Sequence, residues 1–265
     1  MPLKICALPE TEILIYLCLA AFAAGFIDAV VGGGGLIQTP LALAFLPHLP
    51  VATVIGSLKV PAFSGTAIAT SQYLKMVKID WKLLILMAVL AFVSAFLGSR
   101  LLTIVSNEFM KPVLLFVLIA LALYTIFKKN FGNATEKKIP YHIAIINGCI
   151  ASIAVGFYDG FIGPATGTFF ILAFVTLLGM DFLKASANAK LINLATNAGS
   201  ICLFLLKGQI IWAIALPMAV CNALGGLVGS RLAIRRGNKF IRLLFIFVLV
   251  LAIGRFGYEV VKGYV

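Results

Sequence analysis

The hydrophobic and polar positions of this chain are grouped into long blocks. Apolar runs of about the 20 residues that a membrane-spanning helix needs recur along its whole length, with short polar or proline-containing breaks between them. Two shorter apolar pieces, residues 36–46 and 167–179, each follow a glycine-rich break. The pattern predicts an all-α integral membrane protein, with long helices at residues 11–31, 51–74, 81–99, 109–127, 141–162, 182–206, 210–228 and 240–261.

Composition supports a membrane location. Hydrophobic residues make up 62% of the chain and charged residues 11%, against about 45–50% and about 25% in soluble domains. The net charge of +12 would suggest a nucleic-acid partner in a soluble protein, but here the basic residues lie in short loops between apolar runs. Cytoplasmic loops of membrane proteins accumulate such charge. We therefore expect a chain surrounded by the lipid bilayer and no nucleic-acid partner.

Two halves of the chain repeat each other at a constant sequence offset. The sequence GFIDAVVGGGG begins at Gly25, and GFYDGFIGP begins at Gly156, which sets the offset at 131. Other features recur at the same offset without a gap: Lys59 with Lys190, Trp81 with Trp212, and the sequence GSRL at 98–101 and 229–232. We infer an internal duplication, with a first transmembrane repeat at residues 1–127, a polar linker at 128–140 and a second transmembrane repeat at 141–265.

The two short apolar pieces decide how the repeats are related. If both cross the membrane, each half has five segments and the halves are inverted; if both dip in and return, each half has four and the halves are parallel. Five segments per half divide the loop Lys and Arg residues 13 to 6 between the two sides, and four per half divide them 11 to 8. Because positive charge concentrates on one side, we favour an inverted 5+5 arrangement of ten segments with both termini outside. The alternative is a parallel 4+4 arrangement of eight spans with re-entrant segments.

Four ionisable residues lie deepest in apolar sequence: Asp28, Asp159, Lys59 and Lys190. Each costs about 2.5–3.5 kcal/mol to insert at a helix centre, so each needs a partner or a role. The aspartates either line a polar cavity or pair with lysines and hold the halves together. In a cavity, burial would favour their protonated form and suit them to proton coupling.

Stripes of polar side chains at helical spacing accompany both lysines. Around Lys190 they are Asn188, Asn193, Thr196, Asn197 and Ser200, and around Lys59 they are Ser57, Ser64, Thr66 and Thr70. Such a stripe can join helices to one another, but the duplicated lysines favour a water-accessible path.

The glycine-rich breaks are a second observation that predicts a binding site. A helix that restarts within the membrane exposes backbone N–H groups and the positive end of its dipole, which together suit an anion. Close helix packing would explain isolated glycines but poorly explains four in a row. We therefore predict a small anionic substrate bound between the repeats, with these binding residues: Lys59, Lys190, Asn188, Asn193, Asn197, Thr66, Gly33, Gly34, Gly35 and Thr166.

Signals of other functions are absent from the sequence. It contains no GxxxxGK[ST] loop, no HExxH motif and no TVGYG-like filter. The five cysteines form no CxxC pair, and the two histidines, His48 and His142, are far apart. We expect no metal, no cofactor and no enzymatic activity. Two alternatives stay open: an intramembrane enzyme in which Asp28 and Asp159 approach within hydrogen-bonding distance, and a membrane subunit that does not transport by itself.

The same motifs resemble the TauE/SafE family of bacterial membrane proteins, also called TSUP or the sulfite exporter family. The resemblance rests on four sequences: GFIDAVVGGGGL, GFYDGFIGPATG, ANAKLINLATN and the late GSRL. It implies a multi-pass transporter of the bacterial inner membrane for sulfite or other organosulfur anions, with export as the assumed direction. A related carboxylate is a further candidate substrate, and a homo-oligomer is compatible with this class.

One position departs from the family pattern. Members often carry Asn directly before the first lysine, where this chain has Leu58. The departure suggests that the two halves contribute unequally and that Lys190, with Asn193 and Asn197, carries more of the substrate binding.

Overall fold

The computed structural model describes residues 11–106, 108–110, 113, 116 and 139–236, and no strand occurs among them. The helices with both ends described are α1 (Thr11–Val31), α2 (Gly35–Phe45), α3 (Val51–Tyr73), α4 (Trp81–Leu102), α5 (Tyr141–Phe161), α6 (Thr166–Leu177) and α7 (Phe182–Leu206). A further helix, α8 (Trp212–Arg236), is helical up to the last residue described in this part of the chain. Within this described part, six helices are long and apolar enough to cross a membrane. The short helices α2 and α6 have 11 and 12 residues.

The predicted bounds of the described helices agree with the structure to within two residues except at two ends. Helix α4 continues past the predicted residue 99 and α8 continues past the predicted residue 228. At both ends the sequence GSRL is helical, and its glycine packs closely against another helix. A Cβ at Gly98 would collide with the carbonyl oxygen of Phe157, and one at Gly229 with that of Phe26. The predicted runs 109–127 and 240–261 and the linker 128–140 lie wholly or largely outside the described residues.

Helices α1 and α2 form a hairpin that turns at the glycines. Gly32 adopts a left-handed backbone (φ 79°), and its N–H donates to the carbonyl oxygen of Asp28 at 2.8 Å, which ends α1 in the manner typical of glycine. Tyr16, near the start of α1, stacks on Phe45, the last residue of α2, with ring centroids 5.7 Å apart. Helix α2 therefore runs back toward the end where α1 begins.

Helices α5 and α6 form a second hairpin of the same kind. Its turn contains two left-handed residues, Gly163 (φ 92°) and Ala165 (φ 63°). The side chain of Asn147, in the first third of α5, donates to the carbonyl oxygen of Leu177 at the end of α6, at 3.0 Å. Helix α6 therefore returns toward the start of α5.

Helices α3 and α7 cross antiparallel in the middle of the described fold and are its most buried long helices. Gly56, near the start of α3, packs against Phe204, near the end of α7. Tyr73, the last residue of α3, shares an apolar cluster with Phe182, the first residue of α7. We call the two ends of the fold the Val51 end, where α3 begins, and the Tyr73 end, where α3 finishes.

The two hairpins begin at opposite ends of the fold. Leu17 of α1 packs with Val54 at the Val51 end. Ala144 of α5 instead packs against the cluster that contains Tyr73. Helix α1 therefore runs from the Val51 end to the Tyr73 end, and α5 runs the opposite way.

Candidate functional site

A cavity of about 60 Å³ lies where the two hairpin turns meet the crossing of α3 and α7. At about 10–15 Å³ for each water, this volume admits about four to six waters or one small ion. Its walls include side chains from both halves of the chain, so neither half forms it alone. Polar residues in the middle of apolar helices thus face a shared polar space.

Most of the predicted site residues line this cavity. The side chains that do so are Asp28, Lys59, Thr66, Asp159, Thr166, Asn193 and Asn197, and Gly34 and Gly35 contribute backbone. Three predicted residues are not among those that line it: Lys190, Asn188 and Gly33. The Asn188 side chain instead donates within its own helix, to the carbonyl oxygen of Lys184 at 2.7 Å.

Lys59 forms a buried ion pair with Asp159. Its Nζ lies 2.9 Å from Asp159 Oδ1, and the two side chains are 6% and 3% exposed. The same ammonium donates to the main-chain oxygen of Asp159 at 2.7 Å. Thr166 adds a hydrogen bond to Asp159 Oδ1, also at 2.7 Å. Asp159 Oδ2 is buried and has no hydrogen-bond partner among the described residues.

Lys190 pairs with Asp28 in a looser version of the same arrangement. Its Nζ lies 3.9 Å from Asp28 Oδ2 and donates to the main-chain oxygen of Asp28. The Thr66 hydroxyl donates to Asp28 Oδ2 at 3.2 Å. The Lys190 side chain is 2% exposed whereas that of Asp28 is 18% exposed. Here the carboxylate faces the cavity and the ammonium lies behind it.

Each lysine therefore forms an ion pair with an aspartate of the other half of the chain. Lys59 of the first half reaches Asp159 of the second, and Lys190 of the second half reaches Asp28 of the first. The two pairs are equivalent under the sequence repeat, which relates Lys59 to Lys190 and Asp28 to Asp159. In both cases the ammonium also bonds a carbonyl oxygen in the last turn of an interrupted helix, where the helix dipole is negative and attracts a cation. These contacts explain why lysine is tolerated at such depth and show that the aspartates both pair with lysine and line the cavity.

Two helices begin at the cavity. The N-cap positions of α2 and α6 are Gly34 and Ala165, and neither helix start has a side-chain cap. The first N–H groups of an α-helix lack the regular partner four residues earlier, and in α2 those of Leu36 and Ile37 donate instead to Gly33 O at 3.0 Å and Gly34 O at 3.1 Å. The positive dipole end of each helix also lies at its start. The turns are held together because Thr168 donates its N–H to Gly32 O at 3.2 Å and its hydroxyl to Val31 O at 2.9 Å. Both positive helix ends are thus fixed at one polar space.

The sequence prediction missed three polar residues of the cavity wall: Gln38, Thr39 and Asn222. The signal available was an isolated amide in an otherwise apolar run. Neither charge nor duplication marks these two amides, because the repeat-equivalent residues of Gln38 and Asn222 are Phe169 and Ala91.

The two carboxylates make separate sets of contacts. Asp28 contacts Lys190 and Thr66, and Asp159 contacts Lys59 and Thr166. Among the residues that the structure describes, no hydrogen bond joins Asp28 to Asp159. This geometry does not favour the intramembrane enzyme, which requires the two carboxyl groups to act together.

Several apolar spanning helices, two interrupted helix pairs and a polar cavity between them are the features of a membrane transporter. Comparison with known proteins agrees. Residues 17–256 match the family described as Sulfite exporter TauE/SafE. The chain belongs to this family, which confirms the resemblance read from its motifs.

Curated relatives carry the same class of name. The chain is 38% identical over 241 residues to a Sinorhizobium protein named "Probable membrane transporter protein ORF9", with 90% of each chain covered. It is 38% identical over 231 residues to "Probable membrane transporter protein YfcA" of Escherichia coli K12, which covers 86% of this chain and 83% of the relative. A "Probable membrane transporter protein" of Haemophilus influenzae is 34% identical over 232 residues, with 87% and 89% covered. These names point to a transporter rather than an enzyme. No solved structure matches the chain.

Proposed function

We propose that this protein is a secondary transporter of the bacterial inner membrane that carries a small oxyanion such as sulfite, an organosulfonate or a related carboxylate. The observation that carries the proposal is the meeting of Lys59 with two uncapped helix N-termini at one cavity. An ammonium group and the N-terminus of a helix, where the positive end of the dipole lies, both attract anions. The outward direction is taken from the family description, Sulfite exporter.

Charge balance supports proton coupling. The two lysines and two aspartates form a neutral cluster when all four are ionised, so an added anion would carry uncompensated negative charge into an apolar surrounding. A proton on Asp159, whose Oδ2 is buried without a partner among the described residues, would release the charge of Lys59 for the anion. Proton and anion then bind together, and one proton moves with one monovalent anion.

Helix directions support inverted repeats. Helices α1 and α5 begin at opposite ends of the fold, and α3 and α7 run antiparallel. Short helices α2 and α6 return the chain to the end where α1 and α5 began, as a 5+5 arrangement requires. Close contacts of small residues also recur at equivalent positions of the two halves, since Gly25 packs on the carbonyl oxygen of Asn222 and Gly156 on that of Ala91.

Loop charge supports an orientation. Among the described residues, seven Lys and Arg lie in or beside loops at the Tyr73 end and two at the Val51 end. Those at the Tyr73 end are Lys75, Lys78, Lys82, Lys184, Arg231, Arg235 and Arg236, and those at the Val51 end are Arg100 and Lys207. Since positive loops stay in the cytoplasm, the Tyr73 end faces the cytoplasm.

The test begins with anion binding to purified protein. A thermal-shift screen against sulfite, thiosulfate, short sulfonates and short carboxylates should raise the melting temperature for the bound class, because a ligand that binds only the folded form stabilises it. The best ligand is then loaded into proteoliposomes, and we expect flux that moves protons with the anion and is insensitive to an imposed membrane potential.

Matched lysine variants control this experiment. Lys59→Gln and Lys190→Gln should abolish flux, whereas Lys207→Gln, at an exposed lysine outside the cavity, should leave it unchanged. Undiminished flux in a folded Lys59→Gln variant would remove this lysine from the mechanism. A screen in which no anion binds and none is transported would overturn the proposed function.

A further inference from the structure

Gln38, in the cavity wall, carries a buried hydrogen-bond donor without a partner among the described residues. It lies in the first turn of α2, is 3% exposed and lines the cavity wall. Its Oε1 accepts a hydrogen bond from Asn222 Nδ2 at 3.1 Å, while its Nε2 has no partner among the described residues. Buried amide donors are rarely left unpaired, so this one points to an acceptor outside the part of the chain that the structure describes.

Asn222 is fixed in place by two glycines on neighbouring helices. A Cβ at Gly25 of α1 would lie 2.7 Å from Asn222 Oδ1, and a Cβ at Gly65 of α3 would collide with the same oxygen. Asn222 itself is 2% exposed. The two helices therefore leave a slot that the Asn222 oxygen fills, which directs its Nδ2 toward Gln38.

This pair of amides joins the two halves, and the repeat does not preserve it. At the repeat-equivalent positions the chain has Phe169 and Ala91, and the Phe169 ring packs edge-on against Tyr158 with centroids 5.3 Å apart. Of two places between the halves that the repeat makes equivalent, one thus has two hydrogen-bonded amides and the other has two apolar residues. General packing of the fold does not require amides there, since the equivalent place is filled without them.

We propose that Gln38 determines substrate specificity by donating its amide N–H to an oxygen of the bound anion, and that Asn222 is a positioning residue that orients this amide. The inference rests on the proposed function. Lys59 and the helix N-termini attract negative charge of any shape, whereas a directed amide donor requires an acceptor oxygen. The site is therefore built for an oxyanion such as sulfite or a sulfonate in preference to a halide of equal charge.

The experiment compares sulfite and chloride binding to variants of the purified full chain. Gln38→Met keeps the length of the side chain and removes the donor, so sulfite affinity should fall by about tenfold to hundredfold while chloride affinity stays unchanged. Gln38→Glu, which places an acceptor in the cavity, should bind sulfite no better than Gln38→Met. Phe169→Met, at the equivalent position of the other half, is the matched control and should bind sulfite as the wild type does.

Asn222 is tested through its dependence on Gln38. Asn222→Ala should weaken sulfite binding in the wild-type background but add nothing in the Gln38→Met background, because its effect acts through that amide. A purely structural role would lower the melting temperature of both backgrounds and weaken sulfite and chloride binding equally.

Each result bears on one proposal. A wild type that binds no anion would overturn the proposed function. A wild type that binds sulfite, with Gln38→Met or Gln38→Glu binding it equally well, would leave the transporter standing and overturn the role of Gln38. Additive losses in the double variant would overturn the positioning role of Asn222.

Discussion

Each buried lysine neutralises an aspartate and also bonds the carbonyl oxygen of the same residue at the end of a helix. Asp159 lies near the end of α5 and Asp28 near the end of α1, where a carboxylate adds negative charge to the negative end of a helix dipole. Lys59 and Lys190 neutralise the carboxylates and also bond the carbonyl oxygens of the same residues. A buried charge without such a partner would be far more costly than the pair.

The two ion pairs differ in a way that suits a transport cycle. The Lys59–Asp159 pair is closed at 2.9 Å, whereas the Lys190–Asp28 charges are 3.9 Å apart and the Asp28 side chain is partly exposed. Sequence-equivalent residues are thus found in unequal states. Exchange of these states between the halves would move the open carboxylate from one hairpin to the other.

Removal of Lys59 should destabilise the protein through Asp159. Lys59→Met leaves that carboxylate buried without its cation, and breaking a buried pair in this way costs about 3–5 kcal/mol. The double variant Lys59→Met with Asp159→Asn removes both charges, so most of the lost stability should return. Transport should stay absent because the cavity then lacks its ammonium group. Thermal unfolding in detergent and flux in proteoliposomes measure the two effects separately.

Two outcomes would contradict this account of the pair. If the double variant unfolds at as low a temperature as Lys59→Met, the loss arises from packing of the lysine stem rather than from an unpaired carboxylate. If the double variant transports the anion at the wild-type rate, the pair is structural only.

At the scale of elements, the fold depends on the contact between the two hairpin turns. Gly32 and Gly167 meet backbone to backbone, and Thr168 bonds across the junction to α1. A Cβ atom at Gly32 or at Gly167 would not fit into this junction. Both helix N-termini keep their position at the cavity because the turns are this close.

Substitutions at two adjacent glycines should distinguish the effect of this close contact from the effect of replacing a flexible glycine. Gly32→Ala places a methyl group 2.6 Å from the Thr168 nitrogen and forces alanine into a left-handed backbone, which alone costs about 1–2 kcal/mol. Gly33→Ala is the matched control, because its added methyl group meets no atom closer than 3.5 Å. We expect Gly32→Ala to lower the melting temperature and abolish flux, and Gly33→Ala to retain both. Equal losses in the two variants would show that the close approach at Gly32 is unimportant.

Sequence patterns predicted the helices more fully than the contacts between them. The bounds of α1 and α7 follow directly from the apolar runs at residues 11–31 and 182–206. The four consecutive glycines gave no means of telling Gly32 from Gly33, because the difference lies in the facing backbone of α6. The direction of α2 likewise depends on contacts with α1 that hydrophobicity does not encode.

Cavity-lining residues were predictable where burial of charge is costly, and also in the polar stripes and glycine breaks near those charges. Lys59, Asp28 and Asp159 stand out because an ionised group in apolar sequence needs a reason. Lys190 satisfies the same criterion but lies behind Asp28, outside the cavity wall, because its ammonium is used at the end of α1. Gln38 and Asn222 carry no charge, and their pairing across 184 residues of sequence is visible only in three dimensions.

At the scale of the whole molecule, the direction of α2 and α6 determines which loops share a side of the membrane. In an inverted 5+5 arrangement, the loop after α2 and the loop after α7 lie at one end, and the loop after α3 lies at the other. In a parallel 4+4 arrangement, the loops after α3 and α7 share a side, and the loop after α2 lies opposite. Three exposed residues report on these loops: His48, Lys78 and Lys207.

Sided labelling of single cysteines distinguishes the two arrangements. With the five native cysteines replaced by serine or alanine, His48→Cys, Lys78→Cys and Lys207→Cys are each exposed to a membrane-impermeant maleimide in intact, outer-membrane-permeabilised cells. Because the lysine-rich Tyr73 end should face the cytoplasm, we expect His48→Cys and Lys207→Cys to react at once and Lys78→Cys to react only after the inner membrane is opened. Matching reactivity at positions 78 and 207, with position 48 opposite, would instead establish the parallel arrangement. The charge pairs between halves would then need a different symmetry to explain them.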